Sequence, residues 1–129
     1  TFMAVNSGSS QIAKGLGPLA YGMVFSQVVP SPWERKREIA REYQDAARKA
    51  SPNPEFNYGA LEGYMTAKVL AMALRSIPPK ELSRASLVKA LYSGPFDVGG
   101  LVVRFEPGNH EGSHFVDLSI VSREGRFIH

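Results

Sequence analysis

The chain opens with a short apolar run, Phe2-Met3-Ala4-Val5, broken by the small polar stretch Asn6-Ser7-Gly8-Ser9-Ser10. An uninterrupted apolar run bounded by turn residues predicts a buried strand over residues 2–5. Ser9 or Ser10 is then the expected cap of a helix running to about Leu16, which Gly17-Pro18 ends. Residues 21–29, YGMVFSQVV, are β-branched and aromatic and close at Pro30, so they predict a second strand. A strand, a helix and a strand in that order call for parallel pairing within one sheet.

The period then changes. Ser31-Pro32-Trp33-Glu34 has the form of a capping box with proline at the first helical position. Trp33, Ala40, Tyr43, Ala47 and Ala50 follow at helical spacing, with Glu38, Arg41, Asp45 and Lys49 on the opposite side. That pattern predicts an outer helix with one wet, ion-paired face. After the rigid link Ser51-Pro52-Asn53-Pro54, residues 58–76 are apolar almost all the way round, and a helix of that kind needs cover on more than one side. Gly59 and Gly63, four residues apart, predict an edge where another backbone comes close. A shorter helix fits residues 83–93, capped by Ser83 and stopped by Gly94-Pro95. The remainder alternates as strands do: residues 101–105, a loop over 106–113, then 115–122, with Arg123-Glu124-Gly125 turning into Arg126-Phe127-Ile128.

Composition adds limits. At 129 residues and 43% hydrophobic content the chain has the make-up of one globular domain. Its net charge of +3 is spread among interspersed acids, so it lacks the concentrated basic face that nucleic acid requires. There is no cysteine, which removes disulfide and thiol chemistry. Thr1, in place of an initiator methionine, is expected to mark a processed chain or a fragment. Residues 15–33 carry no charge, yet three glycines and three prolines make them a poor membrane helix; the chain reads as soluble.

Candidate chemistry is sparse. His110-Glu111-Gly112-Ser113-His114 matches the His-Glu-x-x-His string of zinc hydrolases, but that chemistry needs a helix to project both imidazoles to one metal. Pro107-Gly108 before the string and Gly112 within it predict a loop, so neither a metal site nor an enzyme is expected. The loop after the first strand follows neither nucleotide-binding pattern, and its serines have no histidine near them in sequence to act as base. Glu62, on the apolar helix, is a carboxylate that needs a partner if buried, and Tyr64 carries a hydroxyl that must be satisfied or face a ligand.

The order of these pieces resembles the C-terminal part of type I periplasmic solute-binding proteins, the leucine/isoleucine/valine-binding group of ABC transporters. The resemblance is carried by Phe2-Met3 with its polar loop, Tyr21-Gly22-Met23-Val24 to Pro30, Glu42-Tyr43, Leu61-Glu62-Gly63-Tyr64, Gly99-Gly100 with Leu101 to Phe105, Asn109-His110 with Gly112-Ser113, and Arg123 to Phe127. It extends over essentially all 129 residues but only about the last third of such a protein.

The resemblance implies an α/β fold: parts of two lobes, each a parallel sheet flanked by helices, incomplete in this chain. Residues 1–29 would form a strand-helix-strand unit of the second lobe, 30–113 helices and a short β segment of the first, and 114–129 a return to the second. It implies a periplasmic, non-catalytic component of an importer, without cofactor, that holds a small solute between the lobes and docks on a membrane permease. A ligand-sensing regulator on the same fold is the alternative. In relatives that bind aliphatic amino acids an acid stands at the position of Asn6; the amide here donates and accepts without neutralising a cation. The implied solute is an amino acid, an amide or a small organic acid, with Asn6, Ser7, Glu62 and Tyr64 as expected contacts. Bare apolar faces on an incomplete lobe also predict self-association, as a dimer or by exchange of elements.

Overall fold

The structure, a computed structural model, describes residues 2–3 and 8–129, with backbone alone at Phe2 and Met3. A four-stranded sheet has the order β1-β2-β5-β6, formed by β1 (Phe2–Met3), β2 (Val24–Gln27), β5 (Asp117–Val121) and β6 (Phe127–Ile128). β1 and β2 are parallel, as a strand-helix-strand unit requires, with α1 (Ser9–Leu16) between them. β5 and β6 add to the far side antiparallel, with Phe25 opposite Ser119 and Val121 opposite Phe127. The sheet is therefore mixed rather than wholly parallel, because a hairpin over Glu124-Gly125 returns the chain on itself.

The rest of the chain is a helical unit. It holds α2 (Glu38–Ala50), α3 (Tyr58–Arg75) and α4 (Arg84–Tyr92), with a hairpin of β3 (Phe96–Asp97) and β4 (Val102–Val103). Ile39, Tyr43, Leu61, Met65, Val69, Ala73, Phe96, Val98 and Val103 fill its core, together with Val29, which arrives from the end of β2. The sheet unit has a smaller cluster of its own: Ala13, Ala20, Phe25 and Val121. Phe127 packs against both.

Several elements end where a long-range partner outbids a local signal. β2 starts at Val24 because Gly22, at φ 78°, makes a turn in which Met23 N–H bonds Ala20 and Gly22 N–H bonds Val121. It stops at Gln27 because Val28 and Val29 leave for the helical core. Ser31 does not cap a helix: its hydroxyl accepts from Trp33 N–H at 3.4 Å in a turn, and α2 begins seven residues later. The carbonyls of Arg35 and Lys36 are held by the Arg41 guanidinium at 2.6 and 2.8 Å, while Ile39 N–H bonds Gly99 at 3.0 Å. Tertiary contacts thus set the start of α2, and Trp33 lies outside it. Ser83 does cap α4 as expected, with Ser86 completing the reciprocal pair at 3.0 and 2.8 Å. β4 is confined to two residues because Arg104 N–H turns to Gly112 at 2.8 Å.

Two other expectations need correction. α1 is not capped by Ser9 or Ser10: its N-cap is Gly8 at φ 66°, with no side chain of the described residues bonded to the first turn, and Ser9 is instead drawn to Gln27. Gly59 and Gly63 admit no close backbone among the described residues; a methyl group would meet only Asn57 at the first and nothing at the second. α3 is covered along one side, through Tyr58, Leu61, Met65, Val69 and Ala73, while Leu70 and Leu74 face outward.

Candidate functional site

The starts of two helices converge on one hollow of about 270 Å³. α1 contributes residues 8–11, α3 contributes Tyr58, Gly59 and Glu62 together with its cap Asn57, and Val29 joins them. Each wall has a local cause. At the α1 end glycine supplies the left-handed turn, and among the described residues no side chain caps it, so the helix start presents its first backbone N–H groups and its share of the helix dipole. At the α3 end Asn57 accepts from Ala60 N–H at 2.8 Å, and Gly59 leaves open space where a side chain would stand. Glu62, one turn on, is exposed, and among the described residues its carboxylate has no hydrogen-bond partner, while its backbone carbonyl accepts from the Thr66 hydroxyl at 2.9 Å. The hollow therefore offers N–H donors on one side and a carboxylate on the other.

A buried polar layer backs it. Gln27, at the end of β2, donates to Ser119 at 3.0 Å and to Ser9 at 3.4 Å. Tyr58 sits over the same layer, its hydroxyl close to Ser119 and Ser31. Burial pushes the Tyr58 phenol up, offset in part by those serines. Its ring stands edge-on to Trp33 at 5.6 Å and to Phe127 at 5.7 Å. Sequence reasoning passed over Gln27 and Tyr58. Polar residues at the end of a strand that is otherwise β-branched and aromatic were the available signal for Gln27; for Tyr58, position next to a cap was the only one.

Of the expected contacts, Glu62 is on this hollow, and Asn6 and Ser7 lie outside the described residues. Tyr64 stands away from it, on the side of α3 that meets α2. Its hydroxyl donates to Glu42 Oε2 at 2.9 Å, and Glu42 Oε1 in turn takes Lys68 Nζ at 2.8 Å, which also reaches the Val98 carbonyl at 2.8 Å. Burial first, then the Glu42 carboxylate, pushes the Tyr64 phenol up to about 12. The group ties α3 to α2 and to the β3–β4 hairpin.

His110 and His114 are in an irregular segment, as the glycine and proline pattern indicated, so they share no helix face. His110 Nε2 is 2.8 Å from the Tyr92 hydroxyl, with the rings stacked at 5.9 Å. The described residues contain no group of three side chains placed to hold a metal. Two larger hollows exist. One, of about 680 Å³, runs along α3 and is walled mainly by Met65, Val69, Leu70, Leu91, Val103 and Phe105. Another, of about 500 Å³, lies among Trp33, Phe56 and Phe127. The smallest of the three is the one at which the starts of two helices meet, and Glu62 borders both it and the 680 Å³ hollow. No helix among the described residues is long and apolar enough to cross a membrane.

Comparison with known proteins agrees with this architecture. The fold is similar to that of a possible leucine/isoleucine/valine-binding protein from Rhodopirellula baltica SH 1, with 31% identity and a TM-score of 0.88 over 99% of this chain and 35% of that one. It is similar to a substrate-binding periplasmic protein from Ralstonia solanacearum, with 29% identity and a TM-score of 0.84 over 98% of this chain and 37% of that one. A branched chain amino acid ABC transporter from Thermus thermophilus, solved with bound valine, shares the fold at 19% identity and a TM-score of 0.72, over 98% and 37% of the two chains. The chain thus spans about a third of the length of these structures. No curated protein matches it. The sequence matches the periplasmic binding protein family over residues 1–125, and the chain belongs to that family.

Proposed function

We propose that this chain is part of a periplasmic solute-binding component of an ABC importer, which holds a small polar solute without transforming it and delivers it to a membrane permease. The observation that carries the reading is the 270 Å³ hollow between the start of α1 and the start of α3. Ligands of open α/β sheets bind outside the carboxyl ends of strands, where such helices begin. Residues 1–29 and 114–129 are assigned to one lobe and 30–113 to the other, so the hollow lies between lobes. The N–H groups at the start of α1 suit a carboxylate or amide oxygen, and Glu62 suits an ammonium or amide N–H. Asn6 and Ser7, which directly precede Gly8 in the sequence, are proposed to add amide and hydroxyl contacts. Tyr64 acts from behind, fixing α3 against α2. An amino acid, an amide or a small organic acid fits these groups, and valine, seen in the Thermus thermophilus structure, is the first probe to try. In isolation the 129 residues are expected to self-associate through their bare apolar faces.

The test is a thermal-shift screen of the full-length protein against branched amino acids, their amides and small organic acids, because a bound solute raises stability by about 2.7 kcal/mol at a hundred times its Kd. Glu62→Gln is expected to weaken binding of an amine-bearing solute about tenfold or more, the worth of a charge-assisted hydrogen bond. A full-length protein indifferent to the whole panel overturns the reading. Equal affinities of wild type and Glu62→Gln remove Glu62 from the site.

A further inference from the structure

The segment that leads into α3 reaches back to the sheet unit twice. Glu55, two residues before the Asn57 cap, forms an ion pair with Lys14 on α1. Lys14 holds the Glu55 carboxyl below the usual carboxylate range by its hydrogen bond and its charge. Three residues further on, Tyr58 lays its ring on Phe127 of β6 and its hydroxyl against Ser119 of β5. The same segment, through Asn57, Tyr58 and Gly59, walls the 270 Å³ hollow. It therefore touches the sheet unit and borders the proposed solute space at once. Lys14 and Glu55 do not border that space; they stand on the other side, over the 500 Å³ hollow, with side chains 70% and 72% exposed. The other charged groups there are Glu34, already held by Arg37 at 2.9 Å, Arg126 and His129.

We infer that Lys14 and Glu55 form a clasp that favours closure of the two units over the hollow, so that solute and clasp reinforce one another without touching. The inference rests on the two-lobed reading above. An exposed ion pair moves an equilibrium by about two- to fivefold and is weakened by salt, so the clasp tunes closing rather than dictating it. Reciprocity follows: a solute that prefers the closed arrangement tightens the clasp by the factor by which the clasp tightens the solute. Reversing one charge converts the attraction into repulsion, and reversing both restores it.

The experiment compares full-length wild type, K14E, E55K and the K14E/E55K double variant. The radius of gyration is measured by solution scattering without solute at about 50 and 500 mM NaCl, a range over which screening becomes strong, and L-valine is titrated into each by calorimetry. The single variants are expected to be more open than wild type at low salt and to lose about two- to fivefold in L-valine affinity. The double variant is expected to recover both, and wild type to open at high salt. A radius that follows charge and salt supports the clasp whether or not L-valine is the solute taken. Four forms with the same radius and the same L-valine affinity overturn the clasp alone, if wild type binds L-valine. A radius that follows neither charge reversal nor salt overturns the clasp even if wild type does not bind L-valine, whereas the two-lobed reading falls only with indifference to the whole solute panel. Should one single variant fail to fold, the other and the double variant carry the comparison.

Discussion

In the helical unit Gln44, 2% exposed, has its amide fully engaged: it donates to the carbonyls of Pro32 and Glu34 at 2.9 and 2.8 Å and accepts from Arg35 at 3.0 Å. In the sheet unit Gln27, 1% exposed, donates to two serines while its Oε1 meets no partner among the described residues. The apolar side differs in the same sense. Among the described residues twelve buried side chains form the helical core and four the sheet cluster, and Leu118, Ile120 and Ile128 are 54%, 38% and 51% exposed on the sheet's other face. The helical unit closes most of its own accounts; the sheet unit is built to receive a further layer on one face. A strand with one wet face shows polar residues there, and here β5 buries Ser119 and Val121 and shows Leu118 and Ile120. Apolar residues on the exposed face are the clearest sign that the sheet's second face belongs against something.

Substitutions in the two units should expose this difference. The largest effect is expected in the helical core, where Leu61→Ala removes a fully buried side chain and should cost about 2–5 kcal/mol in urea denaturation; a cost below about 1 kcal/mol would show that this core is as loose as the sheet's. Gly99→Ala should follow at about 1–3 kcal/mol. Gly99 has φ 119°, and a methyl group there would lie 2.8 Å from the Ile39 nitrogen, at the contact that starts α2. The third is a pH effect. Tyr64 is raised from its ordinary value to about 12, so its protonated form is the one the fold prefers. The stability it supplies is complete below pH 10, its unfolded range, and is lost as pH rises through about 12. Because the side chain is only partly shielded, the loss relative to Tyr64→Phe should be on the order of 1 kcal/mol, measured by denaturation at pH 9 and pH 11.5. The smallest effect is expected at Leu118→Ser in this 129-residue chain, within about 0.5 kcal/mol when measured at a concentration low enough to keep it monomeric. In the full-length protein the same substitution should cost more than about 1 kcal/mol if the face is covered there; equal values in both would mean the face is bare in the whole protein too.

The parts legible in the sequence were those settled by neighbours along the chain. The apolar period of α3, the Ser83 cap of α4 and the looped His110 to His114 string needed nothing remote. The start of α2 did: Ser31 and Glu34 have the spacing of a capping box, yet Arg41 and Gly99 hold the backbone that the box would have shaped. The site was half legible for the same reason. Glu62 drew attention as a charge on an apolar helix, whereas Tyr64 looked equivalent two residues away and faces Glu42, because 200° of helical rotation separates the two positions. Gln27 and Tyr58 gain their meaning only from Ser9, Ser31 and Ser119, residues far from one another in sequence.

The Gln44 amide also decides where the connection between the two units is able to flex. By gripping Pro32 and Glu34 it makes the incoming chain a passenger of α2, and the fixed φ of Pro30 and Pro32 stiffens what lies just upstream. Any swing of one unit against the other along this connection must therefore pivot at Val28 and Val29. Such a pivot would turn on two β-branched residues, one of them rooted in the helical core.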